Sequence, residues 1–239
     1  MDEGCKLGVL AFGDSITNGG GELQWGVALQ SWALWTARGL GLPFTGYATD
    51  GARVDDVVRT QIPAHARRDA RYDLGCLYIG VNDVRSADWD ADAFQRGFRE
   101  AFEYLTVRCD RVLALTAPLD LGRPRAGTKV HELNSVVERA ARDARALLLD
   151  LGAFGARNLV MADHVHPTAF GQLFIAERAL DVLARDGMAV VVRPSQLISY
   201  ETTWWKRLRG DATYAYRHAK VSARALAKLA VARPRSHPN

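Results

Sequence analysis

Lysine is scarce in this 239-residue chain: only five of its 31 basic residues are lysines, and the rest are arginines. That bias carries little functional information. Other absences exclude more. No segment reaches the roughly 18 uncharged apolar residues that a membrane-spanning helix needs. Cysteine is limited to Cys5, Cys76 and Cys109, an odd number at wide spacing. Cys76 and Cys109 fall in or beside apolar strand-like runs, which predicts buried, reduced thiols. The first residues, Met1-Asp2-Glu3-Gly4-Cys5-Lys6, lack the basic start and long apolar run of a secretory leader. The expectation is a cytoplasmic protein. No internal repeat or low-complexity segment is present. The triplet Gly19-Gly20-Gly21 lacks the Lys-Ser/Thr of a phosphate-binding loop and reads as a flexible loop.

What is present is an ordinary globular composition, 48% hydrophobic and 24% charged, with an uneven distribution of charge. From Arg193 onward ten basic residues face two acids, Glu201 and Asp211, whereas the first 192 residues hold 21 basic and 25 acidic residues. This change places a boundary near Val192–Pro194, dividing a body of residues 1–192 from a basic, mainly helical extension of residues 193–239. With an acidic body and no recognised module, no nucleic-acid partner is expected.

Along the body, short apolar runs alternate with amphipathic stretches. Strands are predicted at Leu7–Phe12, Phe44–Ala48, Leu74–Ile79, Val112–Thr116 and Leu147–Leu151. Helices are predicted at Val27–Arg38, Val54–Thr60, Asp92–Val107, Thr128–Arg145 and Thr168–Ala184. Such alternation specifies an α/β fold: a five-stranded parallel sheet covered on both faces. In such sheets chemistry collects at the carboxyl ends of the strands.

Four segments fall at that edge. Gly13-Asp14-Ser15-Ile16-Thr17 follows the first strand and Thr49-Asp50-Gly51-Ala52-Arg53-Val54 the second. Gly80-Val81-Asn82-Asp83-Val84-Arg85 follows the third, and Asp163-His164-Val165-His166-Pro167-Thr168 precedes the last helix of the body. In type and order these segments resemble the four signature blocks of the SGNH/GDSL hydrolase family, over roughly residues 7–185. The resemblance implies a flavodoxin-like three-layer α/β/α sandwich. It also implies a nucleophile at Ser15, a general base at His166 and its orienting acid at Asp163. The oxyanion hole would use the backbone N–H groups of Ser15 and Gly51 with the side chain of Asn82. Position 17 is Thr, so the Gly-x-Ser-x-Gly elbow of the α/β-hydrolases is missing.

Each residue type suits its implied role. A serine hydroxyl is a weak nucleophile and needs a base within hydrogen-bond reach. A histidine with an unperturbed pKa near 6.5 is mostly neutral at pH 7 and can take the proton. An aspartate on its far nitrogen fixes the tautomer and stabilises the imidazolium. Donors aimed at the developing oxyanion are worth about 3–4 kcal/mol each. The implied activity is cleavage of a carboxylic ester or thioester through an acyl-serine intermediate, without a cofactor or metal. The alternatives are an acyltransferase of the same family, a non-catalytic docking module, or a metal site using His164 and His166.

The substrate is less legible. Trp25 is a candidate for lining an apolar pocket, and Arg53 and Arg85 flank the second and third blocks as candidates for an anionic substrate group. In the extension, Asp211–Ala232 reads as a helix with Arg217, Lys220, Arg224 and Lys228 on one stripe. The opposite face carries Ala215, Ala219, Ala223, Leu226, Leu229 and Ala230, and the spacing predicts that this face packs on the body. Trp204-Trp205-Lys206-Arg207 precedes the helix and resembles an interfacial aromatic-basic cluster. Besides a small ester or acyl substrate, the partners expected are an acidic acyl-carrier protein or an anionic membrane surface. A solvated face on a packed helix is the alternative.

Overall fold

The computed structural model describes residues 6–24, 26–68, 70–121, 126–156, 158–200 and 202–232, with side chains to residue 224 of the last helix. Five strands form one parallel sheet: β1 (Val9–Gly13), β2 (Phe44–Gly46), β3 (Tyr72–Tyr78), β4 (Cys109–Leu115) and β5 (Leu147–Leu149), in the order β2-β1-β3-β4-β5. Val9 to Gly13 are all buried, as a central parallel strand flanked on both faces requires. Cys76 and Cys109 are buried free thiols, as expected.

The helices are α1 (Ser15–Asn18), α2 (Trp32–Leu40), α3 (Val54–Asp56), α4 (Ile62–Ala66), α5 (Val81–Val84), α6 (Ala91–Arg108), α7 (Lys129–Asp143), α8 (Ala169–Arg185) and α9 (Trp204–Ala232). A π-turn, Val57–Gln61, joins α3 to α4 without a break. Helices α2 and α8 pack together on one side of the sheet, and α6 and α7 on the other. The apolar stripe of α6 (Phe94, Phe98, Ala101, Phe102 and Leu105) is buried as its spacing predicts. Helix α2 starts five residues later than expected, because Ser31 caps it by accepting from the Leu34 N–H.

This strand order reverses direction between β1 and β3. Ligands in such folds bind at the carboxyl edge of that switch point. Both the Ser15 and Asn82 segments leave the sheet there. The basic extension begins on the body: Arg193 pairs with Glu177 and Asp181, and Pro194 is buried in a 3-10 turn over Pro194–Leu197. The chain separates into α9 after that turn.

Candidate active site

The site begins with how β1 ends. Gly13 has φ +153°, and a Cβ there would lie 2.4 Å from the Tyr78 carbonyl oxygen, so only glycine fits. Its N–H donates to Gln61 Oε1 at 3.0 Å, and its carbonyl accepts from Gln61 Nε2 at 2.8 Å. One buried amide thereby bonds Gly13 beyond the end of the β1–β2 ladder, which stops at Ala11 and Gly46, while β3 still pairs with Gly13 through Tyr78. Asp14 then caps α1 by accepting from the Ile16 N–H at 2.9 Å. The chain is left with Ser15 as the first residue of α1, at the sheet edge.

The last block arrives from the opposite end of the sequence. Asp163 Oδ1 accepts from the N–H groups of Val165 (2.9 Å) and His166 (3.0 Å), folding the loop back on itself. His164 takes φ +57° to complete that turn, and Thr168 caps α8 through the Gly171 N–H. The result places Asp163 Oδ2 2.7 Å from His166 Nδ1, and His166 Nε2 2.9 Å from Ser15 Oγ. His164 points elsewhere, its ring edge-on to His218 at 4.9 Å.

The two middle blocks join this pair through hydrogen bonds. Thr49 N–H donates to the Gly13 carbonyl at 3.2 Å, and Asn18 Nδ2 to Asp50 at 3.0 Å. Asn82 Nδ2 donates to the Ala52 carbonyl at 3.0 Å, which places its amide beside the Gly51 segment. The Val54 N–H donates to the Asp83 carboxylate. Gly51 has φ +78° and open space where a Cβ would project. Its glycine is required by backbone conformation, whereas crowding by protein atoms plays no part.

The influences on the pair oppose one another, and the hydrogen bonds decide the outcome. The hydrogen bond that His166 Nδ1–H donates to Asp163 raises the His166 pKa above its ordinary 6.5; burial opposes this, the Asp14 carboxylate supports it and Arg85 opposes it. Burial pushes the Asp163 carboxyl up, but the His166 ring and the two loop N–H groups together hold it below its ordinary 3.8. Asp14 is wholly buried and pushed up to about 7, chiefly by burial. Burial likewise raises Asp83 to about 6.

The remaining candidates divide. Trp25 lies outside the described residues. Arg53 spends its guanidinium on Ser86 Oγ (2.6 Å) and Asp88 (3.2 Å). Arg85 is near enough to His166 for its charge to be felt. The glycine triplet is fitted, in contrast to the flexible loop expected. Gly20 N–H donates to the Ser15 carbonyl, and a Cβ on Gly21 would lie 2.2 Å from the Pro167 carbonyl oxygen. Two residues the sequence reading missed brace this arrangement. Gln61 holds the end of β1; Gln172, fully buried on α8, donates to the carbonyls of Ile16 and Gly20 and accepts from the Trp32 N–H. A signal for Gln172 exists, since it interrupts the apolar face formed by Ala169, Leu173 and Ala176.

Residues 11–173 match the family model for the GDSL-like lipase/acylhydrolase family. The chain belongs to that family. It is accordingly an esterase, a hydrolase of ester bonds. Solved structures share the GDSL fold at low identity. A variant of an acetyl xylan esterase from Geobacillus stearothermophilus is 20% identical, with a TM-score of 0.59, covering 80% of this chain and 100% of its own. A member of the lipolytic G-D-S-L family from Veillonella parvula is 23% identical, with a TM-score of 0.61 and coverage of 74% and 98%. An alpha/beta hydrolase from the metagenome of Lake Arreo, Spain, is 19% identical, with a TM-score of 0.58 and coverage of 74% and 94%. No curated protein matches the sequence.

Proposed function

We propose that this GDSL esterase cleaves a carboxylic ester through an acyl-Ser15 intermediate, with His166 as general base and Asp163 as its orienting acid. The observation that carries the proposal is the continuous chain Ser15 Oγ–His166 Nε2–His166 Nδ1–Asp163 Oδ2, with separations of 2.9 and 2.7 Å. In the first half-reaction the Ser15 proton passes to His166 Nε2 as Oγ bonds to the ester carbon. The carbonyl electron pair moves onto oxygen, toward the N–H groups of Ser15 and Gly51 and the Asn82 amide. Collapse of this adduct breaks the ester C–O bond, and the imidazolium returns its proton to the departing alcohol. Water, deprotonated by His166, then releases the acid and regenerates Ser15.

Asn82 suits the oxyanion role because, among the described residues, its side-chain amide donates to one acceptor, the Ala52 carbonyl, and has a second N–H to give. The likeness in fold to an acetyl xylan esterase favours a small acyl group as the first substrate to try.

The experiment is mass spectrometry after treatment with a fluorophosphonate. The expected adduct lies on the Ser15 peptide and is absent in Ser15→Ala, whose kcat falls by roughly 10⁴-fold or more. Labelling that persists in Ser15→Ala would overturn the assignment.

A further inference from the structure

Helix α9 is amphipathic, and its apolar side faces away from the body. At about 100° per residue, Trp204, Trp205, Leu208, Ala215, Tyr216 and Ala219 share one side of the helix. The large residues among them are exposed: Trp204 62%, Trp205 63%, Leu208 52% and Tyr216 67%. Ala215, Ala219 and Ala223 are exposed as well. This corrects the expectation that the alanine face packs on the body, whose remaining members Leu226, Leu229 and Ala230 have side chains outside the described residues. The basic side is the one turned inward. Lys206, Arg217, Lys220 and Arg224 border a groove of about 610 Å³ that separates α9 from the loops carrying Glu22 and Asp163. An ion pair, Arg217 to Glu22 at 2.6 Å, and the His218–His164 ring contact cross that groove.

The aromatic-basic cluster forms the first turn of α9. Thr203 starts the helix by accepting from the Lys206 N–H, and the two tryptophan rings stack at 3.7 Å. Seven Lys and Arg residues in α9 face one acid, Asp211. Lys206, Arg209 and Arg224 form no ion pair with a described residue.

We propose that the outer face of α9 is a docking surface for an anionic lipid bilayer. Exposed Arg207 and Arg209 flank the apolar side, and a helix with tryptophan and leucine bordered by cations lies in the plane of the interface, aromatic rings at headgroup depth and the flanking guanidiniums at anionic headgroups. A second copy of the chain fits this face poorly, because pairing two such helices brings two strongly basic segments within a Debye length of about 8–10 Å. An acidic carrier protein would meet the cationic side, which faces the body across the groove, and would leave the exposed tryptophan pair uncovered.

The test is co-sedimentation of the full-length protein with vesicles of phosphatidylcholine alone or mixed with phosphatidylglycerol. Wild type is expected to pellet with the anionic vesicles, less so at high salt. The triple substitution Trp204→Ser, Trp205→Ser, Leu208→Ser is expected to weaken this by about tenfold or more. It should hydrolyse a small soluble ester at the wild-type rate, which shows that the body is folded. Ser15→Ala should bind vesicles as wild type does, so failure of the catalytic assignment and failure of docking are read separately. The proposal is overturned if wild type stays in the supernatant at low salt, or if the triple variant pellets equally well. Binding of an acidic carrier protein with no binding of vesicles overturns it too.

Discussion

At the scale of single residues, the Asp163–His166 contact controls both the basicity of the ring and its tautomer. Because the His166 pKa is raised, the neutral imidazole needed as a base is lost as pH falls through a value above 6.5. The kcat/KM profile should therefore rise with an inflection above 6.5 and level off on the alkaline side. Asp163→Asn removes the largest cause of that shift. It should move the inflection down and lower kcat by roughly 10⁴-fold, the size of effect seen when such an acid is made neutral. Asp14 offers a test with the opposite readout. Its folded pKa of about 7 exceeds the ordinary 3.8, so the folded state keeps a proton that the unfolded chain has lost. Stability should therefore decline as pH rises from about 4 to about 7. In Asp14→Asn, urea denaturation below and above that window should show this decline removed. The Asn keeps an acceptor for the Ile16 N–H.

At the scale of elements, the segment carrying Ser15 depends on helices far away in sequence. Gln172 of α8, itself wholly buried, joins the carbonyls of Ile16 and Gly20 to the first N–H of α2. Gln172→Leu fits the space but leaves these groups unpaired, at roughly 1–3 kcal/mol for each buried group not otherwise satisfied. A lowered urea midpoint with unchanged m-value is the expected result. Gln61 does the same for Gly13 from the π-turn, an irregularity that recurs at functional sites. Gln61 carries no local sequence signature for its role, and Gln172 carries only a break in an apolar face. Periodicity registers which face of a helix is apolar, and an amide buried among apolar residues appears there only as an interruption. The strands, the parallel sheet and the blocks around Ser15, Gly51, Asn82 and His166 were legible because each leaves its mark within a few consecutive residues. Element ends were less so: the start of α2 follows the Ser31 cap, which an apolar pattern beginning at Val27 conceals.

For the whole molecule, the body and α9 differ in how they are held. The body encloses one continuous core from Val9 to Leu183, and Arg193 and Pro194 extend its packing into the start of the basic segment. Helix α9 meets the body across a groove, and its Arg217–Glu22 ion pair is solvent-exposed, worth at most about 1 kcal/mol. Ending the chain after Tyr200 should therefore leave the thermal midpoint and the turnover of a small soluble ester near wild type. A large loss of stability would show that α9 supports the fold. Among the described residues no helix is long and apolar enough to cross a membrane.

By itself the sequence determined the fold class and the family, and it named the residues proposed to react, since strand periodicity and short signature blocks are local properties of a chain. The tertiary structure alone decided the rest. It set which buried amides brace Ser15, how far Asp14 and His166 are shifted by burial and neighbouring charge, and which way α9 turns. A helix has the same amphipathic pattern whichever side it presents. Only its placement against Glu22 and His164 fixes the basic stripe inward and the tryptophans outward.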